Sequence, residues 1–179
     1  MQFVIRLALA SLLLTTSIAF AADESNASSD QNLRASHILK TLPGRWTFAL
    51  GERTSGRRAI ETLYPDMVLK WSETFDGRDV VGDGFLGWNS ESGEFFSMAV
   101  HNRAGEYGHM TGRLADSGHV IEWTPAAPKP GRKPFKSVFE LVNENQFTST
   151  ALVQSEDGQW ETSWVARFTR EVAGTTPPE

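Results

Sequence analysis

The chain has 179 residues, with 17 Lys and Arg against 22 Asp and Glu, a net charge of −5, 11% aromatic residues and no cysteine. The acidic excess argues against a phosphate backbone as the main partner, since nucleic-acid binding calls for a basic face. The missing cysteine excludes a disulfide scaffold, a thiol nucleophile and a lipid carried on an N-terminal cysteine.

Met1 to Arg6 is a short, singly positive start, Leu7 to Ile18 is apolar, and Ala19-Phe20-Ala21 is a small-x-small cleavage pattern. That order is a secretory signal, so residues 1–21 are expected to be removed near Ala21 and the mature chain to be periplasmic or extracellular. Losing Arg6 takes the net charge from −5 to −6. The apolar run is shorter than the roughly 20 residues that span a bilayer and is broken by Ser11, Thr15, Thr16 and Ser17, so it is not expected to cross the membrane. The roughly 155 residues that remain suffice for one core, since a chain of that size buries about 70% of its unfolded surface.

Residues 22–30 are rich in Ser, Asn and Asp and read as a flexible tether. Asp30 can cap a short helix over 31–40, with Leu33, His37 and Ile38 within one turn of each other and Leu42 following. Pro43 and Gly44 end it. From Arg45 the period becomes two, and turn signals recur about every ten to twelve residues, the spacing of an antiparallel meander. About ten strands result, with no later helix to support a parallel sheet. The expectation is an all-β fold over 31–171, a single antiparallel up-and-down barrel that removes its edges by closing, with a disordered tail at 172–179.

The last hairpin checks this expectation. A four-residue loop over 155–158 sets Val153, Ala151, Ser149 and Phe147 facing Trp160, Thr162, Trp164 and Ala166, an aromatic and apolar face opposite a mostly polar one. Over 94–124, loops at 102–105 and 115–118 collect Phe95, Ser97, Ala99, His101, Glu106, Gly108, Met110, Gly112, Leu114, His119, Ile121 and Trp123 on one face. His109 lies on the other. His101 and His119 then sit at opposite ends of the middle strand, on the order of 20 Å apart at about 3.3 Å per residue, so these three histidines do not converge on a metal and none is expected. His37 can join only one of them.

No serine stands in a nucleophile elbow, no glycine-rich phosphate loop follows a strand, and no carboxylate pair is set by spacing. The best acid–base candidate is His101 opposite Glu106, although such a pair beside a turn is more often a cross-strand sheet stabiliser. Six tryptophans from six strands either fill a barrel or line a pocket in it. If a pocket exists, Phe95, Met110, Trp123, Phe147, Trp160 and Trp164 are its expected lining, and the ligand is small and apolar or aromatic. No cofactor is implied.

Leu42-Pro43-Gly44-Arg45-Trp46, opening the first strand after a helix, resembles the Gly-x-Trp start of lipocalins and other calycins. The resemblance implies that Trp46 packs at the closed end beneath a basic residue of the last strand, Arg167 or Arg170, so Gly44, Trp46 and Arg170 are expected to be structural. With Gly84-Phe85-Leu86-Gly87-Trp88-Asn89, the glycine-rich hairpin over 105–112 and the closing Ser155-Glu156-Asp157-Gly158-Gln159-Trp160, the chain over 42–170 is similar to a bacterial domain-of-unknown-function family of exported calycin-like barrels. That family carries no catalytic residue across. Unlike lipocalins the chain has no disulfide and more than eight strands, so no specific lipocalin ligand is carried across either.

Three functions compete. The first is an exported barrel binding a small apolar or aromatic molecule. The second is a protein-interaction or envelope-associated module acting through the basic, proline-rich loop 124–134, which holds Lys129, Arg132 and Lys133 among four prolines. The third is a hydrolase-like enzyme using His101 and Glu106.

Overall fold

In a computed structural model the described residues are 16–52, 54–102, 107–127 and 131–172, without the side chains of 16–28 and 107. One helix, α1 (Thr16–Thr41), precedes ten strands. They are β1 (Gly44–Leu50), β2 (Thr54–Tyr64), β3 (Val68–Phe75), β4 (Val81–Asn89), β5 (Glu94–His101), β6 (Tyr107–Leu114), β7 (Val120–Pro125), β8 (Phe135–Asn143), β9 (Gln146–Gln154) and β10 (Trp160–Arg170). Each pairs antiparallel with its chain neighbour, and β1 pairs with β10, so the sheet closes as the turn spacing predicted.

The helix is longer than expected. It runs through the stretch assigned to a tether, and Asp30, instead of capping its start, forms an ion pair one turn on with Arg34. Once the C-terminal turns are anchored, each further residue needs no new nucleus, which lets a polar segment continue the helix. Its buried residues are Ala35, Ile38 and Leu39, with Leu42 just past its end, the i, i+3, i+4, i+7 spacing of a single helical stripe. Leu33, expected on that stripe, is 69% exposed because it falls off this spacing.

This stripe plugs one end of the barrel. It enters a core that includes Trp46, Leu69, Trp88, Phe95, Ile121, Leu141 and Phe147. The helix is also tied to turns at that end: Trp88 Nε1 donates to Asn32 Oδ1 at 2.7 Å, Arg34 donates to the Asp116 carbonyl, and Lys40 lies 3.3 Å from the Asp66 carboxylate. The opposite end, where the β1–β2, β3–β4, β5–β6, β7–β8 and β9–β10 connections lie, has no such plug among the described residues.

Arg170 closes the plugged end, as the Gly-x-Trp resemblance implied. It pairs with Trp46 across the β1–β10 seam, and its guanidinium lies 4.2 Å from the Trp46 ring centroid. Its Nε donates to the Glu144 carbonyl at 2.8 Å and Nη1 to that of Pro43 at 2.7 Å, while Nη2 donates to that of Thr41. A Cβ on Gly44, whose φ is +143°, would collide with Arg170 Nη1, so this position requires glycine. Arg167 lies one residue out of phase and pairs with Ala49 on the outer face.

The β9–β10 hairpin departs from its expected register twice. Its loop is one residue longer, closed by Ser155 N–H to the Gln159 carbonyl, so Trp160 pairs with Gln154 and Thr162 with Leu152. A bulge between Thr162 and Trp164 then restores the expected parity, setting Trp164 against Ala151 and Ala166 against Ser149. In β5–β6 the expected register is observed, Phe95 with Gly112 and Ala99 with Gly108. In β6–β7 the pairing is shifted by two, Gly112 with Trp123, which leaves the faces unchanged because the side-chain period is also two.

Replacing Arg170 by leucine strands three carbonyl acceptors and removes the ring contact. The expected loss is about 2–4 kcal/mol, read as a lower denaturant midpoint with unchanged slope. Lysine, a point charge without the planar fork, should recover less than half of it.

Candidate functional site

The barrel is not filled. Above the plugged core lies a cavity of about 370 Å³ whose lining comes from Leu42, just past the end of α1, and from all ten strands, with apolar rings predominating. Trp71, Trp123, Phe139, Phe147, Phe168 and Trp164 are among the rings that line it. Phe147 and Phe168, partners across β9–β10, stack at 4.2 Å with their planes 11° apart. Glycines on neighbouring strands give the rings room: a Cβ on Gly84 would strike the Trp71 indole, and one on Gly112 the Trp123 indole and Ile121.

Of the expected ligand-lining residues, Met110, Trp123, Phe147 and Trp164 line this cavity. Phe95 is fully buried below it, packed edge-on to Trp88 at 4.8 Å, and serves the plugged core. Trp160 is on the outside of the barrel, where Lys136 Nζ sits 4.6 Å from its ring. The longer β9–β10 loop turned it outward.

His101 lines the cavity, and the carboxylate it meets among the described residues is that of Glu73. Glu106 lies outside the described residues, as do Lys129 and most of the proposed signal segment. His101 Nε2 is 2.8 Å from Glu73 Oε1, reached across β4, where Gly82 pairs with both Glu73 and His101. A Cβ on Gly82 would strike the imidazole at 2.6 Å, so glycine there lets the two side chains meet. The other carboxylate oxygen accepts from Arg58 Nε at 3.0 Å and from Arg58 Nη2. Arg58 pairs directly with Glu73 in the β2–β3 register, and its guanidinium lies 4.7 Å from the Trp71 ring and 4.6 Å from that of Phe168.

The Glu73 side chain is only 5% exposed. Burial pushes its pKa up, but the charge and hydrogen bonds of Arg58, with help from His101, outweigh burial and hold it below the ordinary 4.5. An ionised carboxylate so committed is a poor general base, and it fixes His101 in orientation instead. The cluster has a sequence signal that alternation alone reveals: Glu73 stands between Trp71 and Phe75 at the parity of the core, and Arg58 stands two residues from Ile60 at the same parity. A charge on a core face demands a partner.

His37 and His119 share a separate hollow of about 390 Å³ outside the plugged end, with Thr41 and Glu144. His119 Nδ1 is 3.0 Å from the Ser117 carbonyl. Among the described residues no three His, Asp or Glu are grouped to hold a metal ion, and no helix is long and apolar enough to cross a membrane. The β7–β8 connection stands at the unplugged end; its Ala126 N–H donates to the His109 carbonyl, its Pro134 carbonyl accepts from Gln154, and Phe135 beyond it lines the cavity.

The folded pKa of Glu73 is lowered, so the unfolded chain binds more protons in acid and stability rises with pH there. The stability this carboxylate contributes is complete above the ordinary 4.5 and is lost as pH falls through its lower folded value. Denaturant midpoints should therefore fall on acidification through this window. Glu73→Gln should lower stability at neutral pH and give a flatter acid limb than the wild type.

A family model described as a protein of unknown function, DUF1579, matches residues 31–170, and the chain belongs to that family. Among solved structures it is similar to a redesigned β-barrel at 15% identity, with 75% of this chain and 95% of that one covered and a TM-score of 0.39. It is also similar, at 8% identity, to a protein of unknown function from the DUF3598 family of Nostoc punctiforme, with 75% and 97% covered and a TM-score of 0.28. No curated protein matches it.

Proposed function

We propose that this member of the DUF1579 family is an exported barrel that holds a small, mostly apolar, ring-bearing or chain-like molecule. The observation that carries the reading is the cavity of about 370 Å³ among Trp71, Trp123, Phe139, Phe147 and Phe168. Its size falls within the roughly 300–1,000 Å³ of small-molecule sites, and an apolar wall with a few convergent polar groups is their usual composition. A barrel of this size needs no such space for stability, because every unfilled volume forfeits dispersion contacts. The Gly44, Trp46 and Arg170 closure supports a calycin-like relationship, in which one end is shut and the other admits a ligand. Export rests on the charge, apolar and small-residue order of residues 1–21.

Tryptophan fluorescence and native mass spectrometry with fatty acids, isoprenoids and haem test the binding. At least one class should bind in a one-to-one ratio and quench the indoles, and a protein that binds none of them defeats the reading. Ala99 lines the cavity. Ala99→Phe should therefore fill it, cutting affinity on the order of tenfold or more while leaving the fold intact, because a binding site loses what a side chain occupies. For export, N-terminal sequencing of the protein recovered from its native host should begin near Ala22; a chain that retains Met1 contradicts it.

A further inference from the structure

We propose that the head group taken by this cavity is anionic: the ligand is an aryl or alkyl monocarboxylate whose carboxylate is held by Arg58 and His101 while its apolar body lies among the rings. This deepens the cavity-binding reading and rests on it.

Among the described residues three ionisable side chains line the cavity, namely Arg58, Glu73 and His101. Glu73 has spent both oxygens inside the cluster, one on Arg58 and the other on His101. The two donors have capacity left over. A guanidinium carries five N–H groups. Here Nε and Nη2 serve Glu73, and among the described residues nothing accepts from Arg58 Nη1 and nothing is bonded to His101 Nδ1. With rings of Trp71 and Phe168 stacked on it, the guanidinium has its in-plane edge for further bonds, and that edge is the fork that matches a planar carboxylate.

Charge points the same way. One carboxylate is shared by one permanent cation and one imidazole, so the cluster is neutral with a neutral imidazole and carries +1 with a protonated one. An entering anion restores neutrality in the second state, inside a wall of low dielectric where an uncompensated charge is costly. A neutral amide or alcohol head could accept the same N–H groups but would bring no charge. Ser97, Ser137 and Ser149, elsewhere on the lining, offer hydroxyls to a second polar group on the ligand body.

The test is a matched comparison by isothermal titration calorimetry on the mature protein: phenylbutyrate against phenylbutyramide, and decanoate against decanol. The acid of at least one pair should bind roughly ten- to a hundredfold tighter than its neutral counterpart, the range expected of charge-assisted bonds. Arg58→Gln with Glu73→Gln removes the ion pair without leaving either charge alone in the wall. That double variant should lose the acid preference and keep its affinity for the neutral member. Equal affinity of acid and neutral ligand in the wild type overturns the anionic assignment and leaves cavity binding standing. Failure of all four probes to bind, together with failure of the broader panel, overturns cavity binding and this inference with it. If the double variant does not fold, the wild-type comparison alone decides.

Discussion

The architecture depends on the contact between Arg170 and Trp46. A ten-strand sheet has two free edges until β1 meets β10, and this pair stands on that seam. The same guanidinium gathers the carbonyls of Thr41 and Pro43, where the helix ends, and of Glu144, in the β8–β9 turn. One side chain therefore couples three events: closing the sheet, ending α1 and covering the plugged end. Trp46 itself is fully buried, with its indole N–H bonded to the Leu42 carbonyl at 2.9 Å, so it is satisfied from the helix side as well.

A plug at one end and none at the other makes the barrel asymmetric, and the asymmetry decides where space is left. The helix supplies Ala35, Ile38, Leu39 and Leu42 to fill the end that the strands alone would leave hollow. Higher in the barrel, filling falls to strand side chains alone, and Ser97, Ala99, Ser137, Ser149 and Ala166 are too small to meet across it. Large rings stand beside small residues, with Gly84 and Gly112 letting indoles lie against the wall. That arrangement lines a space rather than occupying it.

Much of this was legible in the sequence because period-two alternation and turn spacing are local signals. They yielded the number of strands, the closure and the inner face of β5 and β6, whereas the Gly44, Trp46 and Arg170 end came from the Gly-x-Trp resemblance. Trp160 was misplaced because one extra loop residue reverses the facing of everything before the compensating bulge, and neither the loop length nor the bulge has a distinctive residue signature. Arg58 and Glu73 went unrecognised as a pair because they are 15 residues apart on adjacent strands and meet only through register. His101 was picked out as a polar residue of the inner face, with Glu106 across the β5–β6 turn as its expected partner, a residue outside the described ones. Glu73, which it meets, went unnoticed because it lies 28 residues away across β4.

The Arg58, Glu73 and His101 cluster is poorly accounted for as a stabilising device. Burying two charges forfeits hydration that their mutual attraction only about repays, and replacing such pairs by apolar side chains of similar volume is often neutral or stabilising by about 1–4 kcal/mol. A barrel already rich in rings has an apolar solution at hand, and β2 and β3 supply Ile60 and Trp71 one step along the same face. The cluster also forms where Gly82 forgoes a side chain to let His101 reach Glu73. Glu73 thus orients two donors that would otherwise be free to turn toward solvent, and its charge offsets the permanent one of Arg58. A polar head group in an apolar site is bound tightly only when its partners are held in place beforehand, so that little ordering remains to be done on binding. Fixing Arg58 and His101 on one buried carboxylate meets that requirement, at a cost in stability that a merely structural wall would not incur.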